Sequence, residues 1–130
     1  MIVVDSSAIL EVLFRSPVGL EIEDFIFSPF KNLCAPHLID LEIAQVLQRY
    51  CTYGDISPER AQTALDDFKD MPINRYPHDI FLQRIWELRN NITAYDASYV
   101  ALAEALPATL LTCDKRLASA PILDADIKVF

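Results

Sequence analysis

Ile2, Val3 and Val4 form a short β-branched run that ends at Asp5, and the period then changes at once, with Ala8, Ile9, Val12 and Leu13 falling three and four apart. This pattern predicts a strand, an acid and a helix over residues 6–14. Pro17 to Gly19 breaks that helix, and Leu20, Ile22, Phe25, Ile26 and Phe27 predict a short, aromatic-rich second helix over residues 20–30. Cys34 to Pro36 reads as an extended piece. From Leu38 to Tyr53 the apolar positions Ile39, Ile43, Val46, Leu47 and Tyr50 again recur at three and four. Glu42 falls inside that apolar stripe, so its carboxylate points partly inward, which is costly unless something pairs with it.

Ser57-Pro58-Glu59 is a helix start, with serine as cap and proline in the first turn, for a polar-faced helix through Lys69. Residues 71–76 suit an edge strand. Pro77 to Asp79 opens another helix, in which Phe81, Leu82, Ile85, Trp86 and Leu88 read mostly as core. Asn90-Asn91 ends it. Thr93 and Asp96, three apart before an alanine-rich apolar pattern, mark a capped helix that Pro107 stops. Residues 109–113 are too short for a helix and suit a strand buried on both faces. Asp114 follows at its carboxyl end, KRLASA begins another helix, and residues 127–130 form a last strand. Four or five short strands alternating with helices predict an α/β fold, a three-layer α/β/α sandwich around a short, mainly parallel sheet.

A length of 130 residues suits a single domain, 1–130, and 52% apolar residues exclude disorder. With only two glycines no phosphate-cradling glycine loop can be written. The three cysteines are odd in number and lack metal spacing, which fits a reducing, cytoplasmic setting. No apolar run approaches a membrane span and the amino end lacks a signal peptide's positive start. Eleven basic against nineteen acidic residues, net charge −8, argue against binding nucleic acid by neutralising many phosphates. They do not exclude a nuclease whose acids hold metal ions, since the ions reverse the local sign.

His37 and His78 are the only imidazoles and read as loop histidines beside helix starts rather than as an acid and base pair. Ser6-Ser7 lacks the GxSxG elbow. Tyr95, Tyr99 and Trp86 at helical spacing read as packing before base stacking. The carboxylates remain. Taken singly, Asp5 and Asp114 read as helix caps, Asp96 as the acidic half of a capping box and Glu42 as a complement to its helix dipole. Together they need more explanation. In a parallel sheet, strand ends and helix starts collect along the carboxyl edge, so Asp5, Asp96 and Asp114 converge there with Glu42 approaching from a flanking helix. Anions so placed repel one another unless a cation joins them, and oxygen ligands of this kind suit Mg2+ or Mn2+.

These residues resemble the PIN-domain ribonucleases, and among them the short VapC-type toxins that pair with a VapB antitoxin. The resemblance runs over nearly the whole chain and rests on IVVDSSAIL with Asp5, APHLIDLEIAQVL with Glu42, TAYDASYVALAEAL with Asp96 and LLTCDKRLA with Asp114. It implies Mg2+- or Mn2+-dependent endonucleolytic cleavage of RNA. Asp5, Glu42, Asp96 and Asp114 would be both metal ligands and catalytic residues, with Ser7 and Thr112 as their polar neighbours. Lys115, Arg116 and Arg15 would steer the RNA backbone. Some relatives carry a further acid just after the last aspartate. Here Lys115 and Arg116 follow, and no acid appears until Asp124.

A rival of another class is a receiver-like, Mg2+-binding signalling domain, but it would want paired acids after its first strand, where Ser6 and Ser7 stand. A catalytically silent PIN-like module binding RNA or protein is a third reading, against which the intact acid set argues. Phe14, Phe25, Phe27 and Phe30 crowd a short span, so part of this apolar surface is expected to stay exposed as a groove or self-contact. The expected partners are a second copy of the chain, held by apolar helix faces, and a VapB-like antitoxin whose basic tail enters the acidic cleft.

Overall fold

The first strand, β1 (Ile2–Val4), is buried on both faces, as an unbroken apolar run of β-branched residues requires. The computed structural model of the chain describes residues 1–27, 29–121 and 124–130. After β1 come α1 (Ser6–Leu13), α2 (Pro17–Phe27), β2 (Leu33–Pro36), α3 (Leu38–Thr52), α4 (Pro58–Asp70) and β3 (Ile73–Tyr76). A 3₁₀ turn (Asp79–Phe81), α5 (Leu82–Glu87), α6 (Ala94–Ala105), β4 (Thr109–Thr112), α7 (Lys115–Ala118) and β5 (Asp126–Val129) complete the order. All four strand pairings are parallel, in the spatial order β3-β2-β1-β4-β5.

That order fixes the layers. The chain steps from β1 to β2 to β3 in one direction, then returns across the sheet to β4 and β5. Right-handed crossovers therefore put α1 to α4 on one face and α5 to α7 on the other, which is the expected three-layer α/β/α sandwich. The reversal falls between β1 and β4, and helices leaving these neighbouring strands diverge to opposite faces. A crevice opens at their carboxyl ends, where α/β sheets bind ligands.

Helix starts follow local chemistry. Asp5, Ser57, Thr93 and Asp114 each cap a helix by accepting a backbone N–H within its first turn, with Pro58 just inside the second of these. α2 begins at Pro17, earlier than the apolar spacing suggests, because Ser16 Oγ accepts the Gly19 N–H at 2.9 Å and proline suits a first turn. It ends at Phe27; Ser28, inside the expected helix, lies outside the described residues. α1 and α2 approach so closely at Gly19 that a Cβ there would lie 2.0 Å from the Glu11 carbonyl oxygen.

β3 is an edge strand, as expected. Of the apolar residues around α5, Leu88 is buried and Phe81 and Ile85 pack against the core, as expected, while Leu82 is 59% and Trp86 64% exposed, because a six-residue helix has one face for the core and these two lie off it. The phenylalanines divide. Phe14 and Phe25 pack against the core, while Phe27 and Phe30 are exposed and stack on each other at 5.8 Å. Among the described residues no helix is long and apolar enough to cross a membrane.

Candidate active site

Asp5 leaves β1 in an extended conformation and turns the chain into α1. Its Oδ1 accepts the Ala8 N–H at 3.0 Å and the Ser7 hydroxyl at 2.6 Å, and its Oδ2 accepts the Thr112 hydroxyl. Thr112 is fully buried at the end of β4, the strand paired with β1, so this bond ties the two sides of the crevice together. Both hydroxyl oxygens also accept: Ser7 Oγ from the Cys113 N–H and Thr112 Oγ1 from the Asp114 N–H, each at 3.0 Å. Each hydroxyl has one proton, and each proton is committed to Asp5. The carboxylate is thus fixed by three donors at 7% exposure. Burial nevertheless raises its pKa against those donors, and the nearby Asp96 charge adds to the rise.

Glu42 lies on α3, half-buried, and the inward carboxylate has the partner that its position demanded. Tyr99, buried on α6, donates its hydroxyl to Glu42 Oε1 at 2.5 Å. Burial raises the Glu42 pKa despite this bond, and the charges of Asp96 and Asp5 push it further up. Tyr99 carries a role the sequence reading had given to packing. The signal was there: a tyrosine in the apolar face of a helix needs a partner for its hydroxyl, and it lies one turn from Asp96.

Asp96 sits in the first turn of α6, where its N–H is held by the Thr93 hydroxyl at 3.1 Å. Its pKa is raised by burial first and by the Asp114 charge. Asp114 is different. It caps α7, accepts the Arg116 N–H at 3.0 Å and pairs with the Arg116 guanidinium at 3.3 Å, which holds its carboxyl below the usual range. The Arg116 side chain is 93% exposed, so this pair is worth little and opens readily.

Mutual repulsion links Asp5 with Asp96, Glu42 with Asp96 and Asp5, and Asp96 with Asp114, so the four acids form one electrostatic cluster. Among the described residues no ion pair reaches Asp5, Glu42 or Asp96. Nor, among the described residues, do any three histidine, cysteine, aspartate or glutamate side chains stand close enough to hold an ion. The donor chemistry fits a hard divalent cation: carboxylate oxygens, partly desolvated and without a basic neutraliser at the buried end.

Lys115 is exposed beside Asp114. Arg15 does not join the acids. It lies beyond the far end of α1, in a left-handed turn with φ 54°, and shares a surface cavity with Asp67, Asp70 and the residues leading into β3, at the amino edge of the sheet. Asp124, the next acid after Asp114, is also at that opposite edge, its N–H bonded to Glu104 and its neighbours Ala108 and Thr109 at the start of β4.

The PIN domain family model matches residues 2–123. The chain belongs to the PIN-domain family. The receiver-domain alternative falls with that assignment. The chain is similar to the Mycobacterium tuberculosis protein named Ribonuclease VapC1, 41% identical over 129 residues covering 98% of this chain and 96% of that one. It is also 41% identical over 117 residues to Ribonuclease VapC9 of the same organism, covering 90% and 88%. In fold it matches a chain from the crystal structure of VapBC2 from Rickettsia felis bound to a promoter DNA fragment, with TM-score 0.73, 15% identity and 99% and 98% coverage.

Proposed function

We propose that this chain is a Mg2+- or Mn2+-dependent endoribonuclease and the toxin of a VapBC-type pair, acting in the cytoplasm. The observation that carries this reading is the cluster of four mutually repelling carboxylates at the β1/β4 switch point, in which, among the described residues, no ion pair reaches Asp5, Glu42 or Asp96. The ribonuclease names of the full-length relatives supply the reaction class.

Asp5, Glu42, Asp96 and Asp114 would hold the ion. When bound, such an ion makes a water acidic enough to attack a phosphodiester and offsets charge building on the phosphate. The chain's own residues prepare for it. Asp5 is a fixed anchor, because Ala8, Ser7 and Thr112 leave its carboxylate no freedom to rotate. Tyr99 holds one oxygen of Glu42 in place. Arg116, released from Asp114, and Lys115 stand where they can draw an RNA phosphate toward the acids.

Two partners follow from the same surface. An antitoxin with a basic tail would place an arginine or lysine on the exposed end of the cluster, as Arg116 does for Asp114 within the chain. A second copy would cover the exposed apolar side chains of α5 and its neighbours, among them Ile80, Leu82 and Trp86.

The decisive variant is Asp96→Asn. RNA cleavage in Mg2+ or Mn2+ should be lost while the melting temperature in chelator stays at or above that of the wild type, because one anion of the cluster is gone. Wild-type cleavage by the variant would overturn the proposal, and a silent wild type would favour a catalytically inactive PIN-like binding module. For the partner, the chain is co-expressed with its genomic neighbour: if every tail arginine can become alanine without restoring cleavage, blockade of the acids is the wrong mechanism. Light scattering of wild type and Trp86→Glu tests the dimer.

A further inference from the structure

A surface cavity of about 470 Å³ opens between the turn joining α5 to α6 and the start of α7. Asp96 and Asp114 line it together with Arg89, Asn90, Asn91 and Arg116. The volume lies within the ~300–1,000 Å³ typical of small-ligand sites and is ample for one nucleotide. Its chemistry is unusual for so acidic a chain. Among the described residues Arg89 meets no carboxylate; it bonds the Trp86 carbonyl at 2.9 Å and lies over the Trp86 ring at 4.7 Å, which holds its planar group in place without neutralising it. Arg116 is tied only to Asp114, by the exposed pair already described. The side-chain amides of Asn90 and Asn91 make no hydrogen bond within the described chain, so each offers two donors and an acceptor to whatever enters.

We propose that this cavity is a subsite for one nucleotide of single-stranded RNA flanking the cut phosphate, with Arg89 and Arg116 on its phosphate and the Asn90 and Asn91 amides on its base edge. The inference rests on the ribonuclease reading and extends it from reaction to recognition. Single-stranded RNA presents unstacked bases whose edges are read by hydrogen bonds and whose faces stack on guanidinium planes, and this lining supplies both. A basic antitoxin tail would engage only Asp96 and Asp114 on this lining and be opposed by Arg89, and it gives the Asn90 and Asn91 amides no base edge to read.

The probe is a pool of fully randomised RNA decamers, used in two assays. Binding is measured with Asp96→Asn protein in Mg2+ over a range of KCl concentrations, and base preference around the cut is read by sequencing the products of otherwise wild-type protein. Adding Arg89→Ala should make the log–log salt slope shallower by about 0.7, the loss of one phosphate contact on a single strand, while Arg89→Lys keeps the slope. Asn90→Ala with Asn91→Ala should leave the slope unchanged and reduce base preference at one position beside the cut about tenfold, other positions keeping theirs. Thermal midpoints in chelator, matched to the parent protein, show that the variants fold.

If the wild type cuts but neither slope nor preference moves in the variants, the subsite is wrong and the ribonuclease reading stands. If nothing is cut, yet binding shows the Arg89-dependent slope, the ribonuclease reading fails and an RNA site remains. Absence of RNA binding, or variants that weaken only the complex with the co-expressed antitoxin, overturns the subsite.

Discussion

Replacing Thr112 by valine tests the bridge across the crevice, because valine keeps the shape and removes only the hydroxyl. Thr112 is fully buried, donates to Asp5 Oδ2 and accepts the Asp114 N–H at 3.0 Å. Loss of a hydrogen bond to a buried carboxylate costs about 1.5–3 kcal/mol, and the part-buried Asp114 N–H left without its acceptor adds about 1 kcal/mol. The methyl that replaces the hydroxyl returns about 0.8 kcal/mol of apolar burial. The net is a destabilisation of about 2–3 kcal/mol, or about 6–9 °C for a domain of this size. The assay is thermal unfolding in chelator of Thr112→Val, Thr112→Ser and each combined with Asp5→Asn. Serine keeps the hydroxyl and should cost only about 1 kcal/mol for the lost methyl. In the Asp5→Asn background the valine cost should shrink, since a neutral acceptor makes a weaker bond. A Thr112→Val protein within about 0.5 kcal/mol of wild type, or a serine variant as damaged as the valine one, would refute the bridge.

Three further outcomes are expected. Burial first, then neighbouring acids, raise the folded pKa values of Asp5, Glu42 and Asp96 above their unfolded values, so the folded state binds more protons than the unfolded one across that interval. Their contribution to stability therefore falls as pH rises from about 4 toward neutrality in chelator, and Mg2+ should restore more stability at neutral pH than at low pH. Asp114 and Glu104, each lowered by an arginine partner, run the other way, so the trend is read by denaturant unfolding as the difference between wild type and Asp96→Asn, and a difference that does not grow with pH would contradict the cluster. Tyr99→Phe keeps the buried ring and removes the donor to Glu42, and calorimetric titration should show Mn2+ binding weakened about tenfold; unchanged affinity would mean Tyr99 serves packing alone. Gly19→Ala forces a Cβ to within 2.0 Å of the Glu11 carbonyl oxygen and should cost about 2–3 kcal/mol by chemical unfolding, far from the acids, so an undisturbed midpoint would show that α1 and α2 separate easily.

Much of this molecule is decided within a few residues of chain, and that part is readable without coordinates. Asp5, Ser57, Thr93 and Asp114 cap their helices because the acceptor and the N–H it satisfies lie two or three residues apart, whatever the rest of the protein does. Fully apolar strand runs alternating with helices then leave little but a covered parallel sheet, and such a sheet collects the acids at its carboxyl edge. What spans long separations was not legible from the pattern itself; only the family resemblance put Ser7 and Thr112 beside the acids. Ser7 and Thr112 meet across 105 residues, and Tyr99 reaches Glu42 across 57, because strand order and helix placement set them side by side. Periodicity says that a side chain faces inward, but not what it faces. The same limit explains Trp86, apolar and correctly spaced yet exposed on a helix too short to bury it, and Arg15, close to Asp5 in sequence but carried by α1 to the opposite edge of the sheet. The acids' order along the chain belongs to the sequence; their mutual repulsion belongs to the tertiary structure, because Coulomb energies depend on distances that only the folded chain defines.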